Sequence, residues 1–213
     1  MSTRSRPDVS YDISALASAL TKHSEFAFRL AKKILRYLAK YLDVGLNFTT
    51  QSSTSNETGD PLRELVIYTD AGFAGHELKS QTGVVILWRN AIVLWRSGRQ
   101  STTATSTSEA ELTAGSLGTQ IGLGLSALLS DWGQETRLRL RWDNRSTLSI
   151  AHLGGTWRSR HYAIRAQAVR ELLDLQLVTL EYVPTGEQWA DILTKALPTQ
   201  LVRAFHTQFF TTV

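Results

Sequence analysis

Leu65-Val-Ile-Tyr-Thr-Asp70 is a short, nearly all-apolar run that ends on a carboxylate, the pattern of a β-strand covered on both faces. Further along, residues 136–142 alternate, with Leu138, Leu140 and Trp142 on one face and Arg137, Arg139 and Arg141 on the other, and this run also ends on a carboxylate, Asp143. Between them, residues 83–88 and 92–95 read as two more strands joined by Arg89-Asn90-Ala91 as a hairpin. Ser106-Thr-Ser-Glu109 matches a capping box and opens a helix that can run to about residue 130. Gly115, Gly118, Gly122 and Gly124 each cost this helix ~1 kcal/mol against alanine. It must therefore be held by packing, or break, and its small residues would let a neighbouring element approach closely.

Residues 144–152 read as a short helix, and 160–174 as a longer one with Ile164, Ala168, Leu172 and Leu175 inward. A fifth strand over 177–183 stops at Pro184, and a helix over 187–196 is ended by Pro198. The order β-β-β-α-β-α-α-β-α implies an α/β fold, a mixed five-stranded sheet with helices on its faces.

Upstream, residues 11–48 read as two helices. The second, 25–42, puts Ala27, Leu30, Ala31, Ile34, Leu38, Tyr41 and Leu42 on one apolar face. On the same helix Arg29, Lys33, Arg36 and Lys40 line up as a basic stripe, which suits either a phosphate backbone or plain solvent. Residues 49–60 are polar, Ser/Thr-rich and unable to form a core. The expected organisation is a helical segment over 1–48, a linker over 49–60, the α/β domain over 61–198 and a C-terminal tail over 199–213.

Composition limits the chemistry. The 213 residues carry Lys+Arg 23 against Asp+Glu 19, a formal +4, no cysteine, and 42% apolar residues. Disulfide scaffolds, thiol nucleophiles and cysteine-ligated zinc are excluded. A mean hydropathy of −0.15 is that of neither a disordered chain nor a membrane bundle. The longest apolar stretch, 121–129, is short of a membrane span, so no membrane partner is expected. Met1-Ser-Thr-Arg-Ser-Arg-Pro7 lacks the apolar core of a secretory signal, which leads to the expectation of an intracellular protein.

Two strands thus end on aspartate, and Glu111 and Asp191 are expected one turn into helices among small or apolar neighbours. Acids in such places need a cation to offset desolvation. All are oxygen donors, which suit hard Mg²⁺ or Mn²⁺ and not zinc. The carboxyl ends of strands are where open sheets bind ligands.

Four blocks in order, Tyr68-Thr-Asp-Ala-Gly-Phe-Ala-Gly75, Ser106-Thr-Ser-Glu-Ala-Glu-Leu112, Trp142-Asp-Asn144 and Tyr182-Val-Pro-Thr-Gly-Glu-Gln-Trp-Ala-Asp-Ile-Leu-Thr-Lys195, resemble the ribonuclease H domain of copia-type LTR retrotransposon Pol polyproteins. Arg6-Pro-Asp-Val9, Ile13-Ser-Ala-Leu16 and Ala31-Lys-Lys-Ile-Leu-Arg-Tyr-Leu38 are similar to the connection segment that precedes that domain at the end of the reverse transcriptase. The resemblance implies a ribonuclease H-like fold and a metal-binding, catalytic set of Asp70, Glu111, Asp143 and Asp191. It further implies two Mg²⁺ or Mn²⁺ ions and hydrolysis of the RNA strand of RNA–DNA hybrids. Glu109 is the competing acid of its block, about 200° from Glu111 around a helix and already used as a cap.

Candidate contacts to the hybrid are Thr107, Ser108 and Asn144, the basic group Arg158, Arg160 and His161, and the stripe Arg29, Lys33, Arg36 and Lys40. The positive excess is expected on that stripe, on the Arg137-Arg139-Arg141 face and at Arg158 and Arg160. Implied partners are the hybrid and the polymerase part of a reverse transcriptase, in a cytoplasmic virus-like particle or the nucleus. Residues 183–189 lack the histidine that many ribonucleases H carry before the last aspartate, with His161 as the substitute on offer. Residues 75–83 are shorter and less acidic than is usual after the first aspartate. No Tyr-X-Asp-Asp polymerase motif occurs. A polyprotein fragment and a separate gene descended from one both fit, and the competing function is a co-opted ribonuclease H fold that binds nucleic acid or a protein without turnover.

Overall fold

A computed structural model of the chain describes residues 4–20, 24–48, 63–74, 79–153 and 163–212. The linker expected over 49–60, together with Arg158, Arg160 and His161, lies outside the described residues, as does 75–78 of the loop after Asp70. In chain order the elements are α1 (Ser10–Ala19), α2 (Ser24–Lys40), β1 (Val44–Leu46), β2 (Glu64–Gly72), β3 (Gln81–Trp88), β4 (Ala91–Arg99) and α3 (Thr107–Asp131). There follow β5 (Arg137–Trp142), α4 (Arg145–Leu153), α5 (Ala163–Asp174), β6 (Val178–Tyr182), α6 (Thr199–Phe209) and β7 (Phe210–Thr212).

The main sheet has the order β4-β3-β2-β5-β6, with β2 antiparallel to β3 and parallel to β5, so the mixed five-stranded sheet stands as read. Arg89 and Asn90 both take positive φ, 52° and 64°, which matches the tight β3–β4 reversal to the twist of its strands. α3, α4 and α5 cover one face over a core that includes Leu65, Ile67, Leu138, Leu140 and Trp142.

α3 is unbroken because three of its four glycines meet the sheet. A Cβ at Gly115 would lie 1.9 Å from Trp142 Cζ2, at Gly118 2.5 Å from Thr69 Cγ2, and at Gly122 2.4 Å from Ile67 Cδ1. By length and composition α3 could cross a membrane, which corrects the expectation that no segment is long enough; here it is the core helix, with Ala110, Leu112 and Ala114 fully buried.

Four further expectations are corrected. In α5 Ala166 and Val169 are buried and Leu172 packs against the core as expected, whereas Ile164 and Leu175 are 84% and 67% exposed, and Ala168 faces solvent. The buried face of α5 thus runs through Ala166, Val169, Leu172 and Leu173 at helical spacing, which leaves Ile164 and Ala168 on the other side. Residues 187–196 are not a helix but two 3-10 turns, Thr185–Glu187 and Trp189–Leu193. Residues 199–213 are not a tail. Pro198 precedes α6 instead of ending structure, and Phe205, Phe209 and Phe210 are buried in the core of the sheet's second face. Finally, the β5 arginine face is mostly spent inside the fold, with Arg139 2.6 Å from Glu64, and Arg141 2.8 Å from both Glu181 and the Tyr68 hydroxyl.

Residues 4–48 pack on this second face. β1 pairs antiparallel with β7, and Gln81 Nε2 donates to Ser14 Oγ at 3.1 Å. A buried network fastens the two ends of the chain. Asp8 accepts from Arg6 at 2.8 Å and from the Tyr37 hydroxyl at 2.7 Å, and His206 Nε2 lies 3.1 Å away. On α2 only Ala27 and Ile34 of the expected apolar face are fully buried, while Phe28, Leu35 and the following Leu42 are 60%, 65% and 76% exposed.

Candidate active site

The register of two parallel strands sets the first pair of acids. Tyr68 stands opposite Arg141, so Asp70 and Asp143 each lie two residues past that pair, at the carboxyl ends of adjacent strands. α3 runs back over the same strands, and Gly115 rests on Trp142. Glu111 lies one helical turn before Gly115 and so sits over those strand ends. Trp142 Nε1 donates to Thr69 Oγ1, which fixes the ring beneath the helix. Asp70, Glu111 and Asp143 each place a carboxylate oxygen within 4.8 Å of the others.

Asp191 arrives from the other face of the sheet through two more glycines. Gly83 pairs with Asp70 across the strands, and a Cβ there would lie 2.7 Å from the Ala190 carbonyl oxygen; at Gly72 it would lie 2.8 Å from that of Thr194. The bare strand backbone therefore admits the 3-10 turn that carries Asp191. Gln188 anchors it, donating from Nε2 to the Thr69 carbonyl at 3.1 Å and accepting from the Ala190 amide at 3.3 Å. The Thr194 hydroxyl donates to Asp70 Oδ2. Lys195 Nζ lies 2.9 Å from Asp191 Oδ2 and 3.8 Å from Asp70 Oδ2. Gln188, Thr194 and Lys195 were not singled out from sequence; the only signal for them is their place beside Asp191 in the last block.

Crowding shows in the acid strengths. Burial, then the charges of Asp70 and Asp143, pushes Glu111 up to about 9. Burial and Asp70 push Asp191 up to about 7, against the opposing ammonium of Lys195. Asp143 is raised by burial and Asp70, with the Thr185 hydroxyl at 3.2 Å acting the other way. For Lys195, burial alone would lower the pKa, but Asp70 and Asp191 outweigh it and raise it. Two buried oxygens, Glu111 Oε2 and Asp191 Oδ1, have no hydrogen-bond partner among the described residues. A hard divalent cation fits this donor set, since it supplies the missing partner for both oxygens and relieves the repulsion.

The remaining candidates divide. Ser106 caps α3 by accepting from the Glu109 amide at 3.1 Å, and Glu109 reaches back to the Thr105 amide and hydroxyl at 2.7 Å, so Glu109 is a capping acid. Thr107 is exposed and Ser108 half-buried on the first turn of α3. Asn144 Oδ1 accepts from the Thr147 amide at 3.1 Å as the cap of α4, which leaves its NH₂ group for another partner. On the α2 stripe Arg29 lies 3.8 Å from Glu25 and Lys33 3.2 Å from Asp12, while Arg36 and Lys40 are exposed.

No protein-family model matches the chain. Among curated proteins it is 27% identical over 197 residues to the retrovirus-related Pol polyprotein from transposon TNT 1-94 of Nicotiana tabacum, covering 91% of this chain and 14% of that one. It is equally 27% identical over 197 residues to the transposon Ty1-JR1 Gag-Pol polyprotein of Saccharomyces cerevisiae, covering 91% and 11%. The chain thus spans less than a sixth of the length of these relatives. Among solved structures, LC11-RNase H1, isolated from compost, superposes with a TM-score of 0.50 at 16% identity over 67% of this chain and 97% of that one, a likeness of fold. The chain is accordingly a homologue of retrotransposon Gag-Pol polyproteins of the TNT and Ty1 kind, consistent with the copia type, over a segment with the ribonuclease H-like fold.

Proposed function

We propose that the chain is a divalent-metal-dependent ribonuclease H that hydrolyses phosphodiester bonds in the RNA strand of an RNA–DNA hybrid. The observation that carries this reading is the convergence of three carboxylates, Asp70, Glu111 and Asp143, within 4.8 Å of one another, with Asp191 joined to Asp70 through Lys195 and two buried oxygens that have no partner among the described residues. Asp70, Glu111, Asp143 and Asp191 would hold Mg²⁺ or Mn²⁺, two ions in the full assembly. Bound there, such ions supply a nucleophilic water at neutral pH and counter-charge for the leaving 3′ oxygen.

The chain's own contribution is placement. Asp70 is central, oriented by the Thr194 hydroxyl and flanked by Lys195. Trp142 and Gly115 set the height of Glu111, and Gln188 sets the turn that bears Asp191. Thr107, Ser108 and the Asn144 amide would contact phosphate and 2′-hydroxyl groups, the second being the feature by which proteins tell RNA from DNA. Arg29, Lys33, Arg36 and Lys40 would add charge along the strand path, and the polymerase part of a reverse transcriptase would be the companion in a longer polyprotein.

The test is cleavage of an end-labelled RNA–DNA hybrid in Mg²⁺, with Asp70→Asn and Asp143→Asn alongside. Wild type is expected to cut the RNA strand and both variants to lose at least ~100-fold. Wild-type cleavage no faster than the variants overturns the catalytic reading and leaves the non-catalytic module in its place.

A further inference from the structure

A cavity of about 510 Å³ opens between α1, α2 and α6, with Ile192 and Leu197 at the edge of the second-face core on one side. Its volume is that of a small-ligand site. Lys195 is one of its lining residues and also the ammonium against Asp191 and Asp70, so one side chain links the cavity to the acid cluster.

The lining combines cations, rings and a neutralised floor. Lys40 and Arg203 line it, are exposed, and have no acid partner among the described residues. The acids that also line it are already matched, Asp12 by Lys33 at 3.2 Å and Asp8 by Arg6 at 2.8 Å, with Tyr37 and His206 closing on Asp8. The cavity therefore presents net positive charge on a floor held rigid by buried hydrogen bonds. Tyr11 contributes a half-buried ring, and Ile192, Leu197 and Val202 an apolar wall. Cations at the rim beside a ring and an apolar wall form a receptor for a phosphate joined to a base.

We propose that this cavity is a nucleotide subsite that takes one unpaired nucleotide of the strand lying across the carboxylates, where that strand runs past the end of the duplex, its phosphate at Lys40 and Arg203 and its base against Tyr11. The proposal rests on the reading of the chain as acting on nucleic acid, and it adds a second point of grip on the far side of Lys195. It also divides the α2 stripe, since Lys33 and Lys40 line the cavity whereas Arg29 and Arg36 do not.

The test is equilibrium binding of a fluorescein-labelled RNA–DNA hybrid with a single-stranded overhang to the full chain in EDTA, by anisotropy, over a series of salt concentrations. The variants are Lys40→Ala/Arg203→Ala, Tyr11→Ala, and Arg89→Ala/Arg170→Ala as a remote charge control. Lys40→Ala/Arg203→Ala is expected to bind at least ~10-fold more weakly, with a log–log salt slope shallower by about two. Tyr11→Ala is expected to lose about 5- to 100-fold with the slope unchanged, the mark of lost stacking. The remote pair is expected to match wild type.

A wild-type slope and affinity in Lys40→Ala/Arg203→Ala, or an equal loss in the remote pair, overturns the subsite. A nucleoside monophosphate that binds at Tyr11 without competing with the hybrid also overturns it, because the cavity would then serve a free nucleotide. Cleavage plays no part in this measurement. A chain that binds as expected but never cuts therefore refutes the catalytic reading alone, and one that cuts with unaltered affinity in Lys40→Ala/Arg203→Ala refutes the subsite alone.

Discussion

Replacing Gly115 or Gly124 by alanine makes the same chemical change in the same helix and should move stability in opposite directions. At Gly115 the new methyl would sit 1.9 Å from Trp142 Cζ2 and 2.6 Å from Cε2, where carbon atoms need about 3.5 Å. The ring cannot turn aside, because Trp142 is 1% exposed and its Nε1 is bonded to Thr69. Either α3 lifts or that hydrogen bond breaks. Overpacking costs about 1–3 kcal/mol and a lost buried hydrogen bond about 1 kcal/mol, against ~1 kcal/mol gained in helix propensity. The overlap is severe, which puts the net loss near 3 kcal/mol. At Gly124 nothing lies within 4 Å, so the propensity gain of ~1 kcal/mol stands alone. For a chain of this size these changes correspond to a Tm about 6–12 °C lower and about 2–4 °C higher. Urea titration gives the free energies directly. Because Glu111 lies one turn from Gly115, Gly115→Ala should also weaken Mg²⁺-induced stabilisation, and Gly124→Ala should not. Two variants of equal stability within ~0.5 kcal/mol would refute the claim that bare backbone sets the height of α3.

Three other expectations concern charge. Glu111 holds its proton in the folded chain from its ordinary 4.5 up to about 9, so metal-free stability falls as pH rises through that window; Glu111→Gln should flatten the fall in thermal melts between pH 5 and 9, and an unchanged slope would contradict the crowding. Asp8 behaves in the opposite sense. Burial would raise its pKa, but bonds from His206, Arg6 and Tyr37 bring it down to about 2, so about 2 kcal/mol is present above its ordinary 3.8 and lost as pH falls toward 2. Asp8→Asn should lower stability at pH 7 and remove that acid-range loss in urea titrations. Lys195→Ala takes an ammonium from Asp191 at 2.9 Å, so the metal-free chain should melt lower and gain more from millimolar Mg²⁺ than wild type does; an equal Mg²⁺ shift would show Lys195 to be a bystander.

Much of the fold was legible where periodicity and burial coincide. The β5 alternation and the apolar β2 run both ended on the acids that face each other, and the capping pattern at Ser106 opened α3 where the helix begins. Legibility failed where a tertiary contact decides the local form. The turn bearing Asp191 follows from the two strand glycines beneath it, and Gly83 and Gly72 carry no pattern that announces a docking turn. The arginines of β5 read as surface charge because Glu64 and Glu181, which engage them, belong to other strands. Pro198 read as a stop because proline bars the helix before it, yet the same constraint suits the residue just ahead of α6. Thr194 and Gln188 act through single hydrogen bonds to β2, which no spacing rule reports.

The pairing of β1 with β7 bears on how the chain is made. Residues 44–46 leave the ribosome long before residues 210–212, an interval on the order of ten seconds at ordinary elongation rates. Through that interval α2 has no α6 to rest on, and Tyr37 and Asp8 have no His206. The order of synthesis thus runs against the order of assembly, and residues 24–46 are made well before the elements that seat them. A nascent chain in this state displays Ala27, Ile34 and the core-facing side of α2 alongside Phe28, Leu35 and Leu42, a long apolar ribbon suited to a holding chaperone until the C-terminal strand arrives.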